Sequence, residues 1–287
     1  MESIKEIIDE SFIKNIFSNQ EEKKDYLQQL YQKKGIDKKI PREKGMIEQD
    51  IIDTWDYEIS KEVLRDMFRK TQKYRVAQNA NQELKRMEQE WEMLNLGTIE
   101  WPYAAMTYDA YVQRINHNTK MPEQEKDQII QKAAVKYRRI KEINTNRNDY
   151  IECLIFEHNE NIIPTLKHRT GIDFYIDGVA YDQKVSRSVG KAFKESHEDE
   201  YREYAIAHPE EVAKGLYIGQ DEERFGAEPR LLIVYLDEDV TVENIEKIIH
   251  TTKLDQPMDL QFDYPHKKTG IRSYETKCFV ILLYNLK

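Results

Sequence analysis

The sequence predicts a mixed α/β (α+β) fold, with a mainly helical region over residues 1–144 and a mixed region over 145–287 built on a central sheet flanked by helices. Three observations carry this prediction. From Ile4 to about Asn144 apolar residues recur at helical spacing, and no run there reads as a strand. Gly171 to Ser186 reads as a hairpin, since Asp177-Gly178 lies between runs rich in Ile, Val, Phe and Tyr. That dipeptide supplies the two positive-φ residues of a type I′ turn. Arg230 to Leu236 is a nearly unbroken apolar run, as in a strand covered on both faces.

In chain order, helices are expected near 3–17, 20–34, 57–95, 104–117 and 122–144. In the third, Ala77, Ala80, Leu84, Met87, Trp91 and Leu94 alternate in steps of three and four, the seam of one helix packed along another. The repeat is too short to argue for a coiled coil, so it reads as core before dimer contact. Helix 122–144 starts at Pro122, a residue suited to a first helical position. Ile129, Ala133, Tyr137 and Ile140 lie along one side, while Lys132, Lys136 and Arg139 form a basic strip with Arg138, Lys141 and Arg147 nearby. Such a strip either follows a phosphate backbone or is a solvated face. After it come a helix at 148–160, a short strand near 162–166, the hairpin, a polar helical stretch at 191–214, strand 230–236, helix 241–251 and strand 276–284.

A two-residue hairpin loop fixes the register. Ile176 faces Val179, Tyr175 faces Ala180, Phe174 faces Tyr181, and Asp173 faces Asp182. Opposed residues have Cβ atoms about 4.5–5.5 Å apart, and alternation places Lys184 on the face of Asp182. Two carboxylates held that close repel unless a cation or proton is shared. Hard oxygen ligands suit Mg²⁺, which binds through one or two carboxylates and keeps several waters. The bland alternative is a surface ion pair in which Lys184 bridges the two acids, contributing little.

Asp173 together with Asp182-Gln183-Lys184 resembles the signature of the PD-(D/E)xK nuclease superfamily, which includes most type II restriction endonucleases. Ile172 stands where the signature has Pro, and the spacing of the acids is short for the family. The resemblance covers about the last half of the chain and implies a restriction-endonuclease-like core over 145–287, with 1–144 serving DNA recognition or dimerisation. It implies that Asp173, Asp182 and the main-chain carbonyl of Gln183 hold Mg²⁺, and that Lys184 orients or activates the attacking water. The helix preceding the strands often donates a further acid in this family, for which Glu157 and Glu152 are the candidates. Ser186, Arg187 and Lys191, with Ser188 and Lys194, follow the site at once and carry donors for phosphate, though an ordinary loop and helix start would look the same.

Composition narrows the rest. The chain has 287 residues with 39% hydrophobic content, enough for a substantial core. No stretch approaches the roughly 20 apolar residues of a membrane helix, and the charged start lacks the apolar region of a secretion signal. The cysteines, Cys153 and Cys278, have no zinc-ligand spacing and suit a reducing cytoplasm. His197-Glu198 lacks the second His of a zinc site, and Val185 stands where a P-loop ending at Gly190-Lys191 needs glycine. A net charge of −9 argues against nonspecific coating of nucleic acid. The expected function is therefore a Mg²⁺-dependent type II restriction endonuclease acting on double-stranded DNA as a homodimer. The alternatives are a structure-specific repair or recombination nuclease with the same core, and a noncatalytic helical DNA-binding or interaction protein.

Overall fold

The computed structural model describes residues 3–6, 8–97, 99, 101, 106–167, 171–219, 228–237, 240–266 and 270–286. The chain divides into two compact units, one of residues 1–72 and 154–287, the other of residues 73–153. This division differs from the expected split at 144/145: its boundary falls at 153/154, inside one helix of 36 residues, Glu123–His158, that runs unbroken through both positions. Across 144–148, where a break is expected, Ile140, Ile143, Tyr150 and Ile151 continue the buried side.

In the first unit, α1 (Glu10–Ile16), α2 (Gln20–Lys34), α3 (Lys44–Thr54) and α4 (Tyr57–Arg69) precede the sheet. Side chains of Asp9, Asn19 and Asp56 cap α1, α2 and α4 by accepting the N–H groups of Phe12, Glu22 and Ile59. The first helix begins at Glu10 rather than residue 3, at the point where Asp9 supplies a cap. The sequence did not reveal α3, whose N-cap Glu43 makes no side-chain cap bond.

The second unit holds most of α5 (Gln72–Gln78), then α6 (Ala80–Met93), α7 (Tyr108–Asn116) and most of α8 (Glu123–His158). The single helix expected over 57–95 is thus three helices. Ala77, Ala80, Leu84, Met87 and Trp91 are buried as the seam requires, whereas Leu94 is half exposed and lies past the end of α6. Residues 104 and 105 of the expected helix 104–117 lie outside the described residues.

Six strands form one sheet in the order β1-β2-β3-β4-β6-β5: β1 (Ile162–Pro164), β2 (Phe174–Ile176), β3 (Val179–Ser186), β4 (Arg230–Tyr235), β5 (Met258–His266) and β6 (Gly270–Leu283). The first three form an antiparallel meander; β3, β4 and β6 run parallel, and β5 pairs antiparallel with β6. Among the described residues, the α-helices α9 (Lys191–His197), α10 (Tyr201–Ala207) and α11 (Pro209–Ile218) lie between β3 and β4, and α12 (Val242–Thr251) follows β4. The polar stretch 191–214 is therefore interrupted, at Glu198 with φ 45° and at Pro209, which starts a new helix.

Every residue of β4 is buried. On one face Leu232 and Val234 join Val212, Ala213 and Tyr217 of α11 in the core. On the other, α12 with its buried Val242, Ile245 and Ile249 packs on β6.

Candidate functional site

The hairpin forms as the dipeptide requires, with Asp177 at φ 50° and Gly178 at φ 83°. The pairs Ile176–Val179, Tyr175–Ala180 and Phe174–Tyr181 match the expected register. Its turn is held from outside. Ile4 N–H donates to the Gly178 carbonyl at 2.9 Å, Lys5 Nζ bonds Asp177 Oδ1 at 3.0 Å, and Asn161 Nδ2 bonds Asp177 Oδ2 at 2.7 Å.

At the other end the ladder changes one residue short of the acids. Asp173 N–H donates to the Tyr181 carbonyl at 3.0 Å although Tyr181 is already the partner of Phe174, the two-against-one count of a β-bulge. Thr165 N–H meanwhile donates to the Asp173 carbonyl at 3.0 Å, drawing the backbone toward β1. The ladder does not carry Asp173 on to face Asp182. Instead the Asp173 carboxylate reaches across, its Oδ2 accepting the Gln183 N–H at 2.7 Å. The first acid thus sits against the peptide joining Asp182 to Gln183. A strand residue presents its N–H and C=O to the same side, so the Gln183 carbonyl points to the edge that Asp173 occupies.

Asp182 is buried, 7% exposed, and Lys184 Nζ lies 2.9 Å from its Oδ1 and 2.8 Å from its Oδ2. The ammonium stands where a neutralising cation would stand. Across the sheet Arg230 is the register partner of Asp182, 1% exposed, with its guanidinium 4.6 Å above the Tyr217 ring. Burial pulls the Arg230 pKa below its ordinary value, while the proximity of Tyr217, Asp182 and Glu228 opposes that shift. Sequence reading missed Arg230 because the apolar run it begins looked like core alone; the signal was a charged residue at the head of a buried strand. The Cys278 thiol, aligned with Arg230 on the next strand, is pushed up to about 12 by burial and is no nucleophile.

The other candidates have partners elsewhere. Glu157 pairs with Arg69 at 3.5 Å. Glu152, in the second unit, is bonded to Lys73. Burial opposes the charge on Lys73, yet Glu152 and Asp149 hold its pKa above the ordinary value. Among the described residues no group of three or more His, Cys, Asp and Glu side chains is placed to hold a metal. The carboxylates of Asp173 and Asp182, one on each side of the Asp182–Gln183 peptide, and the Gln183 carbonyl are hard oxygens. In kind and number they fit Mg²⁺, which leaves the rest of its coordination to water and substrate oxygens.

The basic strip of α8 is largely compensated. Arg139 bonds Glu90 at 2.8 Å, Arg147 pairs with Glu88, and Arg138 bonds Glu142 at 2.9 Å. Lys136 lies 5.7 Å over the Trp91 ring, and Lys132 is exposed. Past β3, Ser186 Oγ donates to the Ser188 carbonyl at 2.6 Å and Arg187 lies 4.5 Å over the Tyr235 ring. Lys191 is 88% exposed and pairs with Glu195 at 3.4 Å.

Comparison with protein-family models, with curated proteins and with solved structures yields no match. The geometry of the site therefore carries the functional argument.

Proposed function

We propose that the protein is a Mg²⁺-dependent endonuclease that hydrolyses phosphodiester bonds of double-stranded DNA at a short specific sequence, as a type II restriction enzyme does. The observation that carries this reading is the bond from Gln183 N–H to the Asp173 carboxylate, which gathers two acids, a carbonyl edge and Lys184 around one peptide. The chain order supports it: a helix, a strand group carrying the acids, helices and then another strand is the order the resemblance implies for the nuclease core.

Asp173, Asp182 and the Gln183 carbonyl would hold Mg²⁺. When bound, that ion polarises a phosphoryl oxygen and acidifies the attacking water. The chain's own residues do the rest. Lys184, 35% exposed, keeps a positive charge at the Asp182 carboxylate and has room to turn its ammonium to the attacking water or to a phosphate oxygen. Buried Arg230, the register partner of Asp182 on the neighbouring strand, adds positive charge near that acid. Two copies related by a two-fold axis would cut both strands of a palindromic site.

The test is digestion of phage or plasmid DNA by the purified protein with Mg²⁺ and with chelator. Discrete fragments are expected only with Mg²⁺. Asp182→Asn should abolish them, and Lys184→Ala should slow cleavage by about 10²–10³-fold, the scale of losing one charge-stabilising donor. A Mg²⁺-dependent smear points instead to a repair or recombination nuclease, and full cleavage by Asp182→Asn removes the assigned site.

One observation favours a second reading, a noncatalytic DNA-binding or interaction protein: Lys184 already neutralises Asp182, and Arg139 and Arg147 are bonded to glutamates. Mg²⁺ separates the two. A bound ion raises Tm by mass action where a site exists and leaves it unchanged where none does.

A further inference from the structure

The end of α8 and the end of α12 bring two imidazoles together in the first unit. His158 Nδ1 and His250 Nδ1 are 3.0 Å apart, with the rings at 87° to one another, and both residues are exposed to solvent. The frame around them is built from hydrogen bonds. Arg65, buried between helix and sheet, donates through Nη2 to the Phe156 carbonyl at 3.0 Å and through Nη1 to the Asn159 and Ile162 carbonyls at 3.0 and 2.8 Å. Asn159 Oδ1 accepts the Leu254 N–H at 3.0 Å, and Asn161 Nδ2 donates to the Leu254 carbonyl at 2.6 Å. The chain after His158 and the chain after His250 are thus tied together a few residues from the two rings.

We propose that His158 and His250 form a two-imidazole site for a divalent late transition metal, Cu²⁺ or Ni²⁺, separate from Asp173 and Asp182. Two nitrogens 3.0 Å apart, each bonded to a metal at about 2.0–2.1 Å, subtend about 95° at the ion. That is close to the right angle between neighbouring ligands of a tetragonal ion and well below the tetrahedral angle of zinc. One proton is shared between the two Nδ1 atoms in the neutral pair. On binding, the ring that carries it takes the Nε2–H tautomer, and the two exposed rings turn so that both Nδ1 lone pairs converge on the ion. Burial and the neighbouring His250 lower the pKa of His158, which favours the neutral ligand form. Glu157 is turned to Arg69 at 3.5 Å, so water completes the coordination.

The test is calorimetric titration of the intact protein with Ni²⁺ near neutral pH, repeated with Cu²⁺ and read by its electron paramagnetic resonance. One ion per chain is expected, with the copper spectrum showing two nitrogen ligands. Binding should be lost in His158→Ala and in His250→Ala, surface changes that leave the fold intact. It should persist in Asp182→Asn and in the double variant His197→Ala/His208→Ala. Wild-type binding in both single variants, loss in Asp182→Asn, or no binding of either ion overturns the proposal.

Discussion

Gly178 is a single residue that sets the course of two strands. Asp-Gly announced the turn, and the register followed by counting to Phe174–Tyr181. What the sequence does not carry is the close approach of the chain start to that turn, because it depends on contacts some 170 residues apart. A Cβ at Gly178 would overlap the Ser3 hydroxyl and crowd Lys5, on a backbone already at φ 83°. Gly178→Ala should therefore cost more than about 1 kcal/mol, the penalty expected where alanine cannot adopt the native φ. It should appear as a lower urea midpoint at unchanged slope, and a midpoint equal to that of the parent would show that residues 3–5 yield without cost. The same limit governs the acids. Counting put Asp173 opposite Asp182, but Thr165, just past the end of β1, holds the Asp173 carbonyl and leaves the carboxylate to reach Gln183. No spacing rule within one hairpin contains that third participant.

At the scale of elements, legibility follows how far an element's signal is its own. The β4 run and α12 declared themselves by apolar content and helical period. Strand β5 did not. Its inward residues Leu260 and Phe262 alternate with Asp259, Gln261 and Asp263, and Pro265 follows. Those outward residues are depleted in strands, and Pro suits only an edge, so it is the nine-pair ladder with β6 that makes the segment a strand. Helix α8 erred the other way, since two helices, 122–144 and 148–160, are expected where one runs through. Asn146 Nδ2 instead donates to the Glu142 carbonyl at 2.9 Å, and the buried side runs on to Tyr150 and Ile151. Thr145→Pro tests this continuity at an exposed position. In a linker the change would be near neutral; inside one continuous helix it should cost about 3 kcal/mol or more, with a loss of helical circular dichroism.

Over the whole molecule, alkali acts on particular groups of each unit. In the second unit, Arg139–Glu90, Arg147–Glu88 and Lys73–Glu152 tie helices together, and arginine keeps its charge at any pH the protein survives. In the first unit, burial pushes the hydroxyls of Tyr57, Tyr175 and Tyr181 up to about 12, and those of Tyr26 and Tyr217 higher still. Unfolded tyrosines ionise near pH 10. Below that value both states hold the proton and stability is unaffected. Between about pH 10 and 12 the unfolded chain sheds protons that the folded one retains, so stability falls as pH rises. Self-repulsion in a chain already at −9 acts in the same direction. Trp55 lies in the first unit and Trp91 and Trp101 in the second, so fluorescence can assign the transition. In alkaline titrations, the Trp55 signal of a Trp91→Phe/Trp101→Phe variant should change at lower pH than the signal left in Trp55→Phe. Coincident changes would mean that the chain unfolds as one body.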